Sequence, residues 1–216
     1  MRRSPARVSV NLSSLVESPH VDCDVIAQAL DAACPVARLS CVRALPRRAQ
    51  ARLYDMVAGF RARRLEDLVP PHVPDLQPVT HWGINSLPMA RGFAKVMYRQ
   101  PDGRVAGYNA QAWRWFTGPG YFMVDPLDDA SVLIDYTQLP SITPARWPRV
   151  RSNRRGLSYF VYRDLKDTLR AVSEHVSIGR AARNDRLMDN YFILVREASG
   201  MAQALPTPAL RSAVAS

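Results

Sequence analysis

The sequence predicts an α+β protein, with N-terminal helices followed by an antiparallel meander that closes into a β-barrel or a strongly curved sheet. Three observations carry this. Apolar residues recur at helical spacing in the first third, as in Leu53, Met56, Val57 and Phe60. Prolines 70, 71, 74, 78 and 88 then interrupt the chain. After Arg91, short apolar runs alternate with turn-forming residues, the grammar of consecutive antiparallel strands.

Residues 1–20 read as a loosely ordered N-terminus: a basic start, then apolar residues scattered among Ser and Asn, without the continuous apolar core of a secretory leader. A helical segment, 21–68, follows. Its first helix is expected from Asp22 to Ala33, where Asp22 or Asp24 can accept hydrogen bonds from free backbone N–H groups. Val25, Ala29 and Ala33 line one face with Ile26 and Leu30 beside them, and Pro35 ends it because proline lacks an N–H and clashes with the preceding turn. Pro46 opens a second helix, whose apolar stripe is surrounded by Arg47, Arg48, Arg52, Arg61, Arg63 and Arg64. These arginines read as a solvated face whose stems cover the core, ahead of a surface for nucleic acid or an acidic partner, because no aromatic platform is interleaved. Residues 69–91 are a Pro-rich extended connector.

The β-barrel-like region is placed at 92–197. "GFAKVMYR", "RVAGYNAQAWRWF", "YFMVD" and "ASVLIDY" are strand-like, separated by "QPDG", "TGPG" and "PLDD". A long basic loop, "TQLPSITPARWPRVRSNRRG", follows, and "NYFILVRE" is the closing strand. Between them, residues 163–176 carry a helix-like stripe of Leu165, Leu169, Val172 and Val176. The flanking β-branched and aromatic residues favour a different reading, strands "SYFVYR" and "TLRAVSEHVSIG" around a charged turn "DLKD". Residues 198–216 form a flexible tail.

A chain of 216 residues, 47% apolar, can bury one sizeable core. No run reaches the ~18 apolar residues that a membrane span needs. Cys23, Cys34 and Cys41 lack metal-site spacing and read as reduced thiols in a cytoplasmic protein. The net charge of +10 comes from 27 arginines against two lysines, Lys95 and Lys166, a skew that suggests a GC-rich genome. The excess charge could attract phosphate, a membrane surface or an acidic partner.

Chemical signatures are few. G-x-S-x-G, a phosphate loop, GxGxxG and metal-ligand histidine spacing are not found, so no cofactor and no metal are expected. Inward-facing aromatics of a barrel would line a pocket: Tyr108, Trp113, Trp115, Tyr136, Tyr159 and Phe192, with Phe93, Met97, Phe122 and Val161 as further candidates. Asp135 interrupts the apolar run "VLIDY", so its charge needs a partner or solvent, and Arg170 is the candidate partner and anchor for a ligand's acidic group. For acid–base chemistry the candidates are Asp135, Asp164 and His175.

The run "VYRDLKDTLRAVSEHVSIGRA" followed by "NYFILVRE" resembles the closing half of bacterial lipocalin-like, calycin-type domains of the GXWXG-type family of unknown function. The matching positions are Tyr162, Asp164, Asp167, Arg170, Gly179 and Phe192, in the last third of the chain. The namesake Gly-x-Trp-x-Gly does not occur; only Trp82-Gly83 and Gly92 stand near its place. The resemblance implies a calycin-like barrel holding a small apolar ligand, and no reaction. The expected partner is thus a small apolar or weakly acidic molecule, lipid-like or polycyclic. The rivals are a metal-independent isomerase, cyclase or lyase on the same scaffold, and a basic nucleic-acid or protein-interaction module. Homodimerisation stays open.

Overall fold

The computed structural model describes residues 11–86, 91–110, 120–145, 147–150 and 162–197. Its centre is a closed antiparallel barrel of eight strands, each hydrogen-bonded to its neighbour in sequence, with the first pairing the last. The strands are β1 (Val79–Asn85), β2 (Gly92–Arg99), β3 (Val105–Ala110), β4 (Tyr121–Pro126), β5 (Ser131–Asp135), β6 (Leu165–Ala171), β7 (Val176–Arg183) and β8 (Arg186–Arg196). Among the described residues, closure leaves no open sheet edge.

Part of the Pro-rich connector is itself a strand. Pro78 sits just before β1, where its missing N–H costs the ladder nothing, and β1 then joins β2 on one side and β8 on the other. The register Trp82↔Ala94 and Trp82↔Val195 is the seam that closes the barrel.

The region 163–176 is strand and turn, but the turn is not at "DLKD". Leu165 to Ala171 form β6, paired with both β5 and β7, and the chain reverses at residues 172–175, where the Val172 and Ser173 amides donate to the Val176 carbonyl. The Leu165, Asp167, Leu169 alternation explains this: those residues face one side and Lys166, Thr168 and Arg170 the other. The helical stripe counted Leu165 and Leu169 with Val172 and Val176, which flank the turn. Only Tyr162 and Arg163 of "SYFVYR" are among the described residues.

Among the described residues, five helices precede the barrel: α1 (Leu12–Glu17), which lies inside the stretch expected to be loosely ordered, α2 (Cys23–Ala32), α3 (Pro35–Arg43), α4 (Arg47–Met56) and α5 (Leu65–Leu68). Asn11 caps α1 through Ser14 N–H, and Asp22 caps α2 through Asp24 N–H. Pro35 follows the end of α2 and opens α3 at its first turn, where proline is tolerated, so one break separates two helices.

Two large apolar clusters, one on each face of the barrel wall, and a small third one of Tyr98, Ala106 and Met123 make up the core of the described residues. The outer one joins Leu12, Val16, Ile26, Leu30, Leu39, Val42 and Leu53 of the helices to Trp82, Val96, Ile178, Ile193 and Val195 of the barrel's outer face. The inner one collects Phe93, Met97, Phe122, Ile134, Tyr136, Leu169, Phe192 and Leu194 from the alternate positions, together with Leu68 and Val69 at one end. That end is closed by α5. Buried Arg63 donates to the carbonyls of Ser173 (2.6 Å) and Val176 (3.0 Å), and Arg196 donates to the carbonyl of Asp67.

Candidate functional site

The inward positions of β2 are Phe93, Lys95 and Met97, so a lysine points into the barrel between two apolar residues. Opposite it, Asn109 of β3 occupies the register position paired with Lys95. Tyr136, just after β5, and Asp167 of β6 complete a polar group. All are buried, with exposures of 2% for Lys95, 3% for Asp167, 1% for Tyr136 and 8% for Asn109. Lys95 Nζ donates to Asn109 Oδ1 (3.1 Å), to Asp167 Oδ2 (3.2 Å) and to the Tyr136 hydroxyl. Asn109 Nδ2 donates to the Tyr136 hydroxyl at 3.0 Å, which lies 3.4 Å from Asp167 Oδ2. Each of the four side chains therefore has hydrogen-bond partners within the group, which burial requires.

Around this cluster stand aromatic rings. Lys95 Nζ lies 5.0–5.6 Å from the ring centres of Phe93, Phe122, Tyr136 and Phe192. The phenylalanines reach these positions because each faces a glycine across the ladder: Gly83↔Phe93, Gly107↔Phe122 and Gly179↔Phe192. At Gly179 a Cβ would stand 2.1 Å from the Phe192 ring, so any larger residue would push the ring toward the lysine. Tyr162 stacks on Tyr136 at 5.3 Å and 15°. The cluster thus sits toward the end opposite α5, where the chain passes from β5 to β6.

Electrostatics favour loss of charge here. Burial pushes the Lys95 amine down and the Asp167 carboxyl up, and each partner's charge only partly offsets this. Burial, with the Asp167 charge beside it, holds the Tyr136 phenol well above its ordinary range. The three groups lie in mutual hydrogen-bonding contact, enclosed by aromatic rings.

The residues anticipated from sequence fall in several places. Tyr136 and Phe192 line the interior, as do Phe93, Met97 and Phe122. Tyr108 does not: it is buried on the barrel's outer face, with Trp147 at 4.6 Å. Trp113, Trp115, Tyr159 and Val161 lie outside the described residues. Arg170 also faces outward, over the Tyr54 ring at 4.0 Å, and donates to the Tyr54 carbonyl. It is not the partner of Asp135, which sits at the far end of the β5–β6 ladder opposite Lys166. Burial alone would raise the Asp135 carboxyl, but hydrogen bonds from Thr137 and Gln138 outweigh it and bring the pKa below the ordinary value.

His175 stands at the opposite end of the barrel from Asp135 and Asp164, which lie on either side of the start of the β5–β6 ladder near Lys166. Asp164 takes a left-handed backbone (φ 50°) just before β6 and accepts from Arg163. His175 lies in the β6–β7 turn at the α5 end, where Arg196 donates to its Nδ1. Burial, with Arg38 and Arg196 nearby, lowers its pKa and keeps it neutral.

Lys95, Asn109 and Asp167 were not singled out as site residues by chemistry. The signal existed: in "GFAKV" and "LKDTL" a charged residue occupies the inward phase of an apolar alternation. Asp167 did stand among the positions of the calycin-type resemblance. The arginines flanking the second helix are engaged within the chain. Arg47 pairs with Asp189, Arg48 with Glu17, and Arg52 donates to the Ser18 carbonyl.

Comparison of the chain with protein-family models, with curated proteins and with solved structures finds no match. No helix among the described residues is long and apolar enough to cross a membrane.

Proposed function

We propose that the barrel binds a small, mainly apolar molecule at its inner aromatic wall, with the molecule's polar group against Lys95, Asn109, Tyr136 and Asp167. The observation that carries this reading is a lysine buried among four aromatic rings and held, among the described residues, by side chains. Apolar walls with a few convergent polar groups are how small-molecule sites combine affinity with orientation. A small closed barrel is a frame that can hold one such ligand, and the calycin-type resemblance points the same way.

A second reading rests on the same cluster. A carboxyl raised by burial beside a phenol that stays protonated is equipped for proton transfer, so an isomerase or lyase would use Asp167 and Tyr136.

The test is native mass spectrometry of freshly purified protein, followed by thermal melts with 1-anilinonaphthalene-8-sulfonate and with decanoate. The expected outcome is a retained or added small molecule and a higher melting midpoint, reaching about 2.7 kcal/mol of stabilisation at a hundredfold excess over Kd. The gain should shrink in Tyr136→Phe. No retained mass and no thermal shift with either probe would sink the proposal.

A further inference from the structure

We propose that Lys95 is the attachment point for a carbonyl compound, an aldehyde or ketone with a mainly apolar body, held as an imine on Nζ inside the barrel. This rests on the ligand-binding reading above and narrows its ligand class.

The first argument is the choice of residue. This chain has 27 arginines and two lysines. Where it needs a buried cation for structure, it uses arginine: Arg38 and Arg63 are both buried and both donate to backbone carbonyls. Lys95 is different. Among the described residues its Nζ is hydrogen-bonded only to side chains, amid the aromatic rings of the barrel's interior. Arginine would pair with Asp167 but cannot lose its proton in a protein, whereas a desolvated lysine can and then has a nucleophilic lone pair. The other lysine, Lys166, is on the outer face and pairs with exposed Asp185.

The second argument is the set of neighbours, which matches what imine formation demands. Asp167 takes the ammonium proton, and burial already favours the neutral form of both partners. The free amine attacks the carbonyl carbon. The C–N bond forms, the C=O π pair moves to oxygen, and one proton passes from nitrogen to that oxygen. Loss of water then breaks the C–O bond as C=N forms. Water needs a proton to leave: the Tyr136 hydroxyl, which stands at Nζ with its phenol kept protonated, gives it, and the proton left on the iminium nitrogen returns to the phenolate. Asn109 accepts from Nζ and donates to that hydroxyl, fixing both. Amine and carbonyl give imine and water, with no oxidant or reductant required. The rings of Phe93, Phe122 and Phe192 would hold the ligand's body and exclude the water that reverses the reaction.

The experiment compares cinnamaldehyde with cinnamyl alcohol, which has the same body and no carbonyl. Full-length protein is incubated with each in the presence of cyanoborohydride, which reduces an imine to a stable amine, and the modified peptide is mapped by mass spectrometry. The expected result is a single reduced adduct with the aldehyde, on Lys95 in preference to Lys166 and the N-terminal amine, and none with the alcohol. Urea-unfolded protein should lose that preference. Lys95→Arg keeps a cationic partner for Asp167 and should lose the adduct, while mapping on the unaltered chain keeps the test independent of that variant's folding. If both probes raise the melting midpoint but no adduct forms, or the label falls on Lys166 or the N-terminus, the imine is refuted and ligand binding stands. If neither probe, nor the sulfonate or decanoate, shifts the melt and no adduct forms, both proposals fall together.

Discussion

At the residue scale the buried pair Lys95–Asp167 is the feature with most at stake. Side chains exposed by only 3% and 5% have lost their hydration, and their attraction has to offset that loss. Removing one partner leaves the other buried without its match, which typically costs about 3–5 kcal/mol. Lys95→Met and Asp167→Leu should therefore each lower stability by about that amount. The double variant should lose clearly less than the sum, because it removes both desolvation penalties at once. Urea denaturation of the four proteins of the cycle reads this directly. Additive losses would mean that the two groups do not interact, and would remove the physical basis for a proton shared between them.

At the element scale α5 and β1 show how one end of the barrel is closed and what pH does to it. His81 of β1 faces inward, and its Nε2–H donates to the Leu68 carbonyl of α5 at 3.0 Å. Burial, together with Arg196, Arg63 and Lys95, pushes its pKa from 6.5 down to about 3. The folded protein thus refuses a proton that the unfolded chain accepts below pH 6.5. Stability from this group is intact above 6.5 and falls as pH drops toward 3, by up to about 1.4 kcal/mol per pH unit. Asp167, raised in the fold, acts in the opposite sense as pH falls, so the informative quantity is a difference. His81→Gln retains an N–H for Leu68 but has nothing to titrate, and its urea-derived stability should fall less steeply than the wild type's between pH 6.5 and 4.5. Equal slopes would show that His81 does not set acid sensitivity. These elements also mark the limit of what sequence conveys. Strands β2, β4 and β5 were legible because alternation and turn residues agree with their fold. Strand β1 was hidden, since Pro78 and His81 look like connector, and its inward histidine is tolerated only through a carbonyl supplied by α5. The β6–β7 reversal was misplaced because Asp167 and Lys166 resemble turn residues, and it is the barrel that supplies the buried amine of Lys95, which donates to Asp167. Lys95 was hidden for the matching reason: its partners are 14, 41 and 72 positions away.

At the scale of the whole molecule the helices behave as part of the barrel's core. Strands β7, β8 and β1 present Ile178, Ile193, Val195 and Trp82 outward, which would be exposed apolar surface in a free barrel. Helices α1 to α4 cover it, and polar ties fix the docking: Arg47 reaches Asp189, Arg170 reaches the Tyr54 carbonyl, and the Tyr54 and Tyr191 rings meet at 5.7 Å. Because Leu53 and Val195 belong to one continuous cluster, neither layer can lose its partner without exposing its own apolar face. Folding should therefore be a single cooperative event. Trp82 is a natural reporter, as it is buried on the outer face of β1 in the cluster shared with the helices, whereas circular dichroism follows both layers. The two signals should superimpose in urea with one midpoint. A chain beginning at residue 62, which keeps Arg63 and α5 but lacks α1 to α4, should aggregate or remain unfolded. A soluble, folded product from that truncation, or fluorescence and dichroism midpoints that separate, would show instead that the barrel stands without its helical cover, and the outer cluster would then be an interface rather than half of the core.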